Sequence, residues 1–180
     1  RLDEVLSIAQ QQGLYSHVDA AWAGSAMICP ELRTLWSGIE LADSIVVNPH
    51  KWLGANFDCS VQFLRQPQHQ IRTLAIRPHY LETLEANPPA NYSEWTIPLG
   101  RRFRALKLWF LFRAYGLDGL MSRIRSHVQW AKSAASRIAA IPHVELTTSP
   151  RLSLFTFRLV PPGRDATTAT QELLERINAD

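Results

Sequence analysis

The chain has 180 residues, of which 46% are hydrophobic, and its formal net charge at pH 7 is only +3. This length allows one modest core, or one domain with part of another. The small charge excess does not indicate a nucleic-acid-binding protein, which needs a clustered basic face. No apolar run of about 18 residues and no charged-then-apolar leader is present, so neither a membrane span nor a signal peptide is expected.

Cysteine and histidine usage argues against a metal or disulfide scaffold. The two cysteines, Cys29 and Cys59, form no CxxC pair, so a disulfide framework or zinc knuckle is not expected and a reducing, cytoplasmic setting fits. No His, Asp and Glu spacing suggests a metal site. The chain begins at Arg1 and its last segment, 171–180, has helical character, so we expect an internal piece of a longer protein.

The first third of the chain predicts alternating helices and strands. The expected order is helix 2–12, strand 14–18, loop 20–30, helical turn 31–36, strand 44–47 and strand 59–64. This order is typical of an α/β fold with a mostly parallel sheet, in which ligands gather beyond the carboxyl ends of the strands. Two polar clusters fall at such ends, Asp19 after the first strand and 48–51 after the second.

The remainder of the chain changes character. A short helix is expected over 68–74, and the proline-rich stretch 77–98 has little periodicity. A stretch of this kind is typically a functional lid or a linker, and its aromatic residues favour a lid. Beyond it we expect helices over 101–115 and 117–141, antiparallel strands at 144–148 and 152–160, and a final helix from about 165. The second half therefore predicts a small α+β domain.

Lys51 is a candidate nucleophile. It follows directly on an apolar strand, between a histidine and a tryptophan in the segment NPHKW. We expect poor solvation there, which favours the neutral amine, the form that Schiff-base chemistry with an aldehyde cofactor needs. The alternative is a surface lysine that caps a strand end.

Asp19 is a candidate partner for a cationic group. It ends a strand inside an apolar run, and a buried carboxylate needs a cation, such as a protonated pyridine nitrogen, or dense hydrogen bonding. The commoner alternative is an Asp that makes an N-cap or turn bond. The pair is more specific than either residue, since its spacing can place Asp19 and Lys51 at neighbouring strand ends, one on each side of a bound ring.

Four segments together have a recognisable pattern. They are HVDAAWAGSAMICPELR (17–33), ADSIVVNPHKWLGANFDCS (42–60), RPHYLE (77–82) and NYSEWTIPLGRRFRALKLWF (91–110). They resemble the group II pyridoxal-phosphate (PLP)-dependent amino-acid decarboxylases, most nearly the aromatic-L-amino-acid decarboxylases and bacterial versions especially. The resemblance implies an α/β fold of the PLP-dependent transferase type (aspartate aminotransferase-like, fold type I).

The resemblance also implies a domain organisation. The C-terminal part of the PLP-binding large domain would occupy 1–106, with the mobile catalytic loop at about 74–92. Part of the small α+β C-terminal domain would occupy 107–180. Residues 82–91 depart from the usual loop of the family, which carries His and Gly residues and is somewhat longer, and this bears on loop closure and substrate range.

Site residues follow from the resemblance by position. It implies that Lys51 binds PLP covalently, that Asp19 salt-bridges the pyridine nitrogen and that Ala21 packs against the ring face. Asn48 and His50 match residues that help hold the cofactor phosphate.

Three further positions match residues of the mobile loop and the dimer interface. Tyr80 matches the tyrosine that protonates Cα after carbon dioxide leaves. Leu99 and Gly100 match residues that reach the partner subunit's active site. Both would contact the substrate there, and Gly100 would also contact the cofactor. Without the resemblance, Tyr80 reads as a surface aromatic, and Ala21, Leu99 and Gly100 as packing or turn residues.

The implied function is that of a cytoplasmic, homodimeric carboxy-lyase with PLP as cofactor. It would convert an aromatic L-amino acid (DOPA, tyrosine, tryptophan or phenylalanine) to the amine and carbon dioxide, without nucleic-acid, membrane or metal partners. Tyr80 favours decarboxylation, because aldehyde-forming relatives often carry Phe there. Gly100 favours a large ring, because histidine-preferring relatives often carry Ser. The alternatives are an aromatic aldehyde synthase, a decarboxylase of a non-aromatic amino acid, or an inactive fragment.

Overall fold

The computed structural model describes residues 1–75 and 91–179. They fall into two compact units, Arg1–Ala114 and Tyr115–Asp180. The boundary that we expected near residue 107 lies a few residues before the one between these units. The domain organisation of the whole protein stays a prediction. Most of the expected mobile loop, including Tyr80, lies outside the described residues.

The first unit begins with a helix that leads into a small three-stranded sheet. Its elements are helix α1 (Leu2–Gln11), strands β1 (His17–Asp19), β2 (Ser44–Val47) and β3 (Val61–Leu64), helix α2 (Pro67–Leu74), and 3-10 helices at Ala23–Ile28, Pro30–Trp36, Ile39–Leu41 and Tyr92–Trp95. Helix α1 forms because its apolar residues share one face, which buries Leu6. Gly13, with φ 64°, lies just beyond its end.

The segment 20–30 is not the plain loop that the sequence predicts, since Ala23–Ile28 forms a 3-10 helix. Its small residues allow a close approach to strand β2. A Cβ on Gly24 would lie 2.8 Å from Cγ2 of Val47, so only glycine fits there without a shift. This contact packs the segment that follows β1 against the end of β2.

The sheet has the order β1-β2-β3. Strand β1 pairs in parallel with β2, with Asp19 opposite Val46, whereas β3 pairs with β2 in the antiparallel sense. Strand β3 therefore departs from the mostly parallel arrangement that we expected. The connection over 48–60 consists of turns without a crossover helix, so the chain folds straight back beside β2.

The starts of β1 and β2 are joined by Asp43, which lies just before β2. Its carboxylate accepts hydrogen bonds from the backbone N–H of Ser16 at 2.8 Å and from the Ser16 hydroxyl at 3.0 Å. These bonds lower the pKa of Asp43. They fix the start of β1 against the start of β2, and so help to set the register of the two strands.

Helix α3 (Ala105–Ala139) is interrupted at Gly116, where φ is 64° and ψ is 172°. The sequence predicts this break as the end of one helix and the start of another. In the second unit, strands β4 (Val144–Leu146) and β5 (Phe157–Leu159) pair antiparallel and precede helix α4 (Ala166–Ala179). Both strands are shorter than expected. Over the described ranges, no helix is both long and apolar enough to cross a membrane.

Gly38 provides a test of the packing between α1 and the chain that precedes β2. Its φ is 86°, and a Cβ there would lie 2.5 Å from the Cα of Asp3. We expect Gly38→Ala to lower the free energy of unfolding by about 2–4 kcal/mol, through left-handed strain and overlap with backbone. Gly13→Ala is the control, since φ there is 64° but no atom lies within 4 Å. Equal losses in urea unfolding of the two variants would contradict the packing argument.

Candidate active site

Two loops meet at the carboxyl edge of strands β1 and β2. Because the strands are parallel, their exits lie at the same edge of the sheet. The pairing continues past β1, where the N–H of Ala20 donates to the carbonyl of Val46 at 3.0 Å. The N–H of Asn48 then donates to the carbonyl of Ala21 at 2.9 Å. The segment after Asp19 is thus bonded directly to the segment that leads to Lys51.

Asp19 makes a turn bond at the end of β1. Its Oδ1 accepts the N–H of Ala21 at 2.9 Å, and the residue is exposed. The expected burial of this carboxylate is wrong for the described chain, because β1 is an edge strand that pairs only with β2 among the described residues. The turn bond holds one oxygen while the exposed carboxylate remains accessible to a cationic group.

Lys51 lies on two successive turns. Its N–H donates to the carbonyl of Asn48 at 2.9 Å, and its own carbonyl accepts the N–H of Gly54 at 3.2 Å. Trp52 and Leu53 are buried, whereas Lys51 is exposed. The expectation of poor solvation is therefore wrong for the described chain. The turns bury the neighbouring apolar residues and leave the amine accessible.

His50 is held through its ring by the backbone of Cys59. Nδ1 lies 3.0 Å from the N–H nitrogen and 2.8 Å from the carbonyl oxygen of Cys59. The first contact suits a proton on Nε2 and the second suits a proton on Nδ1, so the backbone of Cys59 orients the ring in either tautomer. In the tautomer with Nε2–H, Nε2 can donate a hydrogen bond to an anionic group.

Asn48 carries a buried polar atom that has no partner within the described residues. Its side-chain Oδ1 is buried and accepts no hydrogen bond there. Such an atom costs about 1–3 kcal/mol. Rotation of the amide by half a turn exchanges Oδ1 for the Nδ2 amino group, so the same position can present N–H to an anion. Asn48 and His50 thus offer two donors next to Lys51 in the chain.

Of the remaining predicted residues, Ala21 lies at this end of the sheet and is buried beside Asp19. Leu99 and Gly100 are exposed, and Gly100 lines a surface cleft of about 450 Å³ with Asp58 and Arg104. The structure does not bring Leu99 or Gly100 into any described contact with the turn that carries Lys51. Within the described ranges, no group of three His, Cys, Asp or Glu residues is placed to hold a metal ion.

Three charged residues that the sequence did not point to, Asp58, Arg104 and Lys107, fix the chain that follows Lys51. Oδ2 of Asp58 accepts hydrogen bonds from Nε and Nη2 of Arg104 at 2.9 and 2.8 Å. Nζ of Lys107 donates to the carbonyls of Phe57 and Asp58, both at 3.1 Å. These bonds connect the start of α3 to residues 57–58. The next residue in the chain is Cys59, which orients the ring of His50. No local sequence signal reveals these bonds, because the partners lie more than 40 residues apart.

A family model described as the pyridoxal-dependent decarboxylase conserved domain matches residues 1–160. The chain belongs to this family. Its fold is that of the PLP-dependent decarboxylases of fold type I, as the resemblance implied.

Known relatives agree with this assignment. The chain is 43% identical over 178 residues to the aromatic-L-amino-acid decarboxylase of Drosophila lebanonensis, covering 99% of this chain and 43% of the relative. The crystal structure of Catharanthus roseus tryptophan decarboxylase in complex with L-tryptophan is similar with a TM-score of 0.89 at 38% identity, covering 99% of this chain and 38% of that one. For Rhodiola rosea 4-hydroxyphenylacetaldehyde synthase the TM-score is 0.86, also at 38% identity, with coverages of 99% and 36%.

These three proteins come from an insect and two plants, so the expected likeness to bacterial versions finds no support in them. The chain spans less than half of the length of each of them. The activity, substrates and partners of the whole protein are therefore taken up as proposals.

The Asp58–Arg104 pair predicts a defined pH dependence of stability. The hydrogen bond from Arg104 is the largest cause that lowers the pKa of Asp58 below its ordinary value of 3.8. A carboxylate with a lowered folded pKa stabilises the fold above its unfolded pKa, and the contribution is lost as the pH falls through the folded pKa. We therefore expect Asp58→Asn to lower the thermal midpoint above about pH 4, and to differ less from wild type in stronger acid.

Arg104→Gln removes the largest cause of the lowered pKa of Asp58. When Arg104→Gln is already present, adding Asp58→Asn should therefore change the thermal midpoint by nearly the same amount at every pH. Thermal unfolding across a pH series measures both effects. A difference between wild type and Asp58→Asn that stays constant into strong acid would contradict the role given to this pair.

Proposed function

We propose that the full-length protein is a PLP-dependent carboxy-lyase that converts an aromatic L-amino acid to its amine and carbon dioxide. The observation that carries the proposal is the meeting of the Asp19 and Lys51 loops, joined by the bond from Asn48 N–H to Ala21 O. The names of the relatives support the substrate class, since they include an aromatic-L-amino-acid decarboxylase and a tryptophan decarboxylase. DOPA, tyrosine, tryptophan and phenylalanine are the candidate substrates.

The residues at this edge fit PLP. Lys51 offers an accessible amine for the aldehyde, and Asp19 offers an accessible carboxylate for the pyridine nitrogen. The ring face would pack against Ala21, which is small and buried. The orphaned side-chain amide of Asn48 and Nε2 of His50 suit the phosphate. When bound, PLP supplies an electron sink for the charge left at Cα when carbon dioxide departs.

The chain's own residues then have separate tasks. Asp19, anchored by the N–H of Ala21, holds the proton on the ring nitrogen. Lys51 holds the cofactor between turnovers, and its double turn limits where its amine can lie. Tyr80 delivers a proton to Cα. Tyr80 lies outside the described residues, and its role is proposed from the resemblance alone.

The remaining expectations concern the assembly and the substrate. In the proposed homodimer, Leu99 and Gly100 reach the partner subunit's site, where Gly100 leaves room for a large aromatic ring. The exposure of both residues is compatible with such a contact. A cytoplasmic location is proposed from the cysteine usage.

A second candidate is an aromatic aldehyde synthase, which the likeness to the Rhodiola rosea enzyme favours. A decarboxylase of a non-aromatic amino acid on the same scaffold is a further alternative. The nature of the product and the preferred substrate separate these candidates. Purified full-length protein supplied with PLP and each amino acid in turn, with histidine and glutamate included, tests all three.

Tyr80 provides the sharpest prediction about the product. We expect wild type to release mainly amine from aromatic substrates. Tyr80→Phe removes the proton donor, so oxidation by dissolved dioxygen should compete with protonation, and aldehyde, ammonia and hydrogen peroxide should rise relative to amine. Tyr92→Phe is the control, because it makes the same chemical change at an exposed tyrosine of the described chain. Wild-type amine yield from Tyr80→Phe would contradict its role, and mainly aldehyde from wild type would favour the synthase.

Lys51 and Asp19 give a prediction about cofactor attachment. After borohydride reduction, peptide mapping should find the cofactor on Lys51 and on neither of the other lysines of this chain, Lys107 and Lys132. Asp19→Ala should retain this attachment but lose on the order of a hundredfold in kcat, because the ring nitrogen loses the carboxylate that keeps it protonated. Asp118→Ala, which removes an exposed carboxylate of helix α3, is the control and should keep kcat. Near-normal kcat in Asp19→Ala would contradict the pyridine role.

A further inference from the structure

The two loops of the proposed site each carry a tryptophan directly after a cofactor-facing residue. Trp22 follows Ala21, and Trp52 follows Lys51. Their rings are stacked, with centroids 4.7 Å apart and an angle of 14° between the planes. Trp52 is 8% exposed and Trp22 is half-buried. The stack therefore links the two loops through side chains.

The stack complements the backbone bonds between the loops. The N–H of Ala20 bonds to the carbonyl of Val46, and the N–H of Asn48 bonds to the carbonyl of Ala21, so these bonds hold the backbone close to the strand ends. Two large flat rings in contact resist both tilt and separation of the residues that follow, because either motion loses stacking contact. Backbone bonds and ring stacking thus act together on the position of one loop relative to the other.

We propose that the Trp22–Trp52 stack is a positioning device that sets the separation between the Ala21 ring-facing position and the Lys51 amine. The inference rests on the proposed function, in which both residues contact the cofactor. Covalent attachment requires the amine to lie at bonding approach to the aldehyde, and small misplacements cost large factors in rate. The stack controls that approach without touching the reacting atoms.

Trp36 distinguishes positioning from ordinary packing. It is also 8% exposed and lies in the same unit, in the 3-10 helix Pro30–Trp36, which packs against α1 and against the 3-10 helix Ala23–Ile28. Replacing it removes a comparable buried indole that is not part of the stack. Trp36→Leu is therefore the matched control for Trp22→Leu and Trp52→Leu.

The experiment uses the full-length protein and three readouts. The circular dichroism of coupled indoles in the cofactor-free protein reports the stack itself. The rate at which added PLP becomes reducible onto Lys51 by borohydride reports positioning. The thermal midpoint of the cofactor-free protein reports general stability. Trp22→Phe and Trp52→Phe are included because phenylalanine retains a stacking face and should rescue most of the rate.

We expect both Leu variants to lose the coupled-indole signal and to slow attachment to Lys51 on the order of tenfold or more. Trp36→Leu should lower the thermal midpoint but keep the wild-type attachment rate. If the Leu variants attach PLP at the wild-type rate, or if Trp36→Leu slows attachment equally, the positioning role is overturned. If wild type itself attaches no PLP to Lys51, the proposed function fails first and the inference fails with it.

Discussion

The candidate site depends on the parallel pairing of β1 with β2. Because these strands run in the same direction, Asp19 and the turn that carries Lys51 emerge at one edge of the sheet. The bond from Asn48 N–H to Ala21 O extends the pairing beyond the strands. A register shift of one residue would turn Asp19 to the other face of the sheet and separate the two groups.

Contacts from other parts of the first unit hold the paired strands and their loops in place. Asp43 fastens the strand starts through Ser16, and Gly24 lets the segment after β1 pack closely on Val47. Behind the Lys51 loop, Arg104 and Lys107 hold the loop that orients His50. Groups that act on a bound cofactor need such support, because small displacements cost large factors in rate.

Much of the local structure could be predicted from the sequence, because it follows from short-range rules. Helix α1 follows its apolar spacing, β2 its β-branched residues, and the interruption of α3 the conformational freedom of Gly116. The family and the fold class followed from motifs of specific composition, in particular HVDAA and NPHKW.

The features that the sequence did not reveal depend on distant packing. The antiparallel return of β3 and the Asp58–Arg104 pair involve partners that no short window contains, and the 3-10 helix Ala23–Ile28 packs on Val47 of β2. The exposure of Asp19 and Lys51 has the same origin, since burial depends on which segments cover a sheet edge. Apolar neighbours in the sequence indicated burial for both residues, but the turns bury those neighbours and leave the charged groups outside.

A crystal structure of the full-length protein with PLP would show directly whether the Asp19 and Lys51 loops form the cofactor site. We expect a covalent bond from Lys51 to the cofactor, and a carboxylate oxygen of Asp19 about 2.7–3.2 Å from the pyridine nitrogen. The phosphate should lie near Nε2 of His50 and the side-chain amide of Asn48. A pyridine nitrogen that faces a different residue, with Asp19 retaining only its turn bond to Ala21, would contradict this expectation.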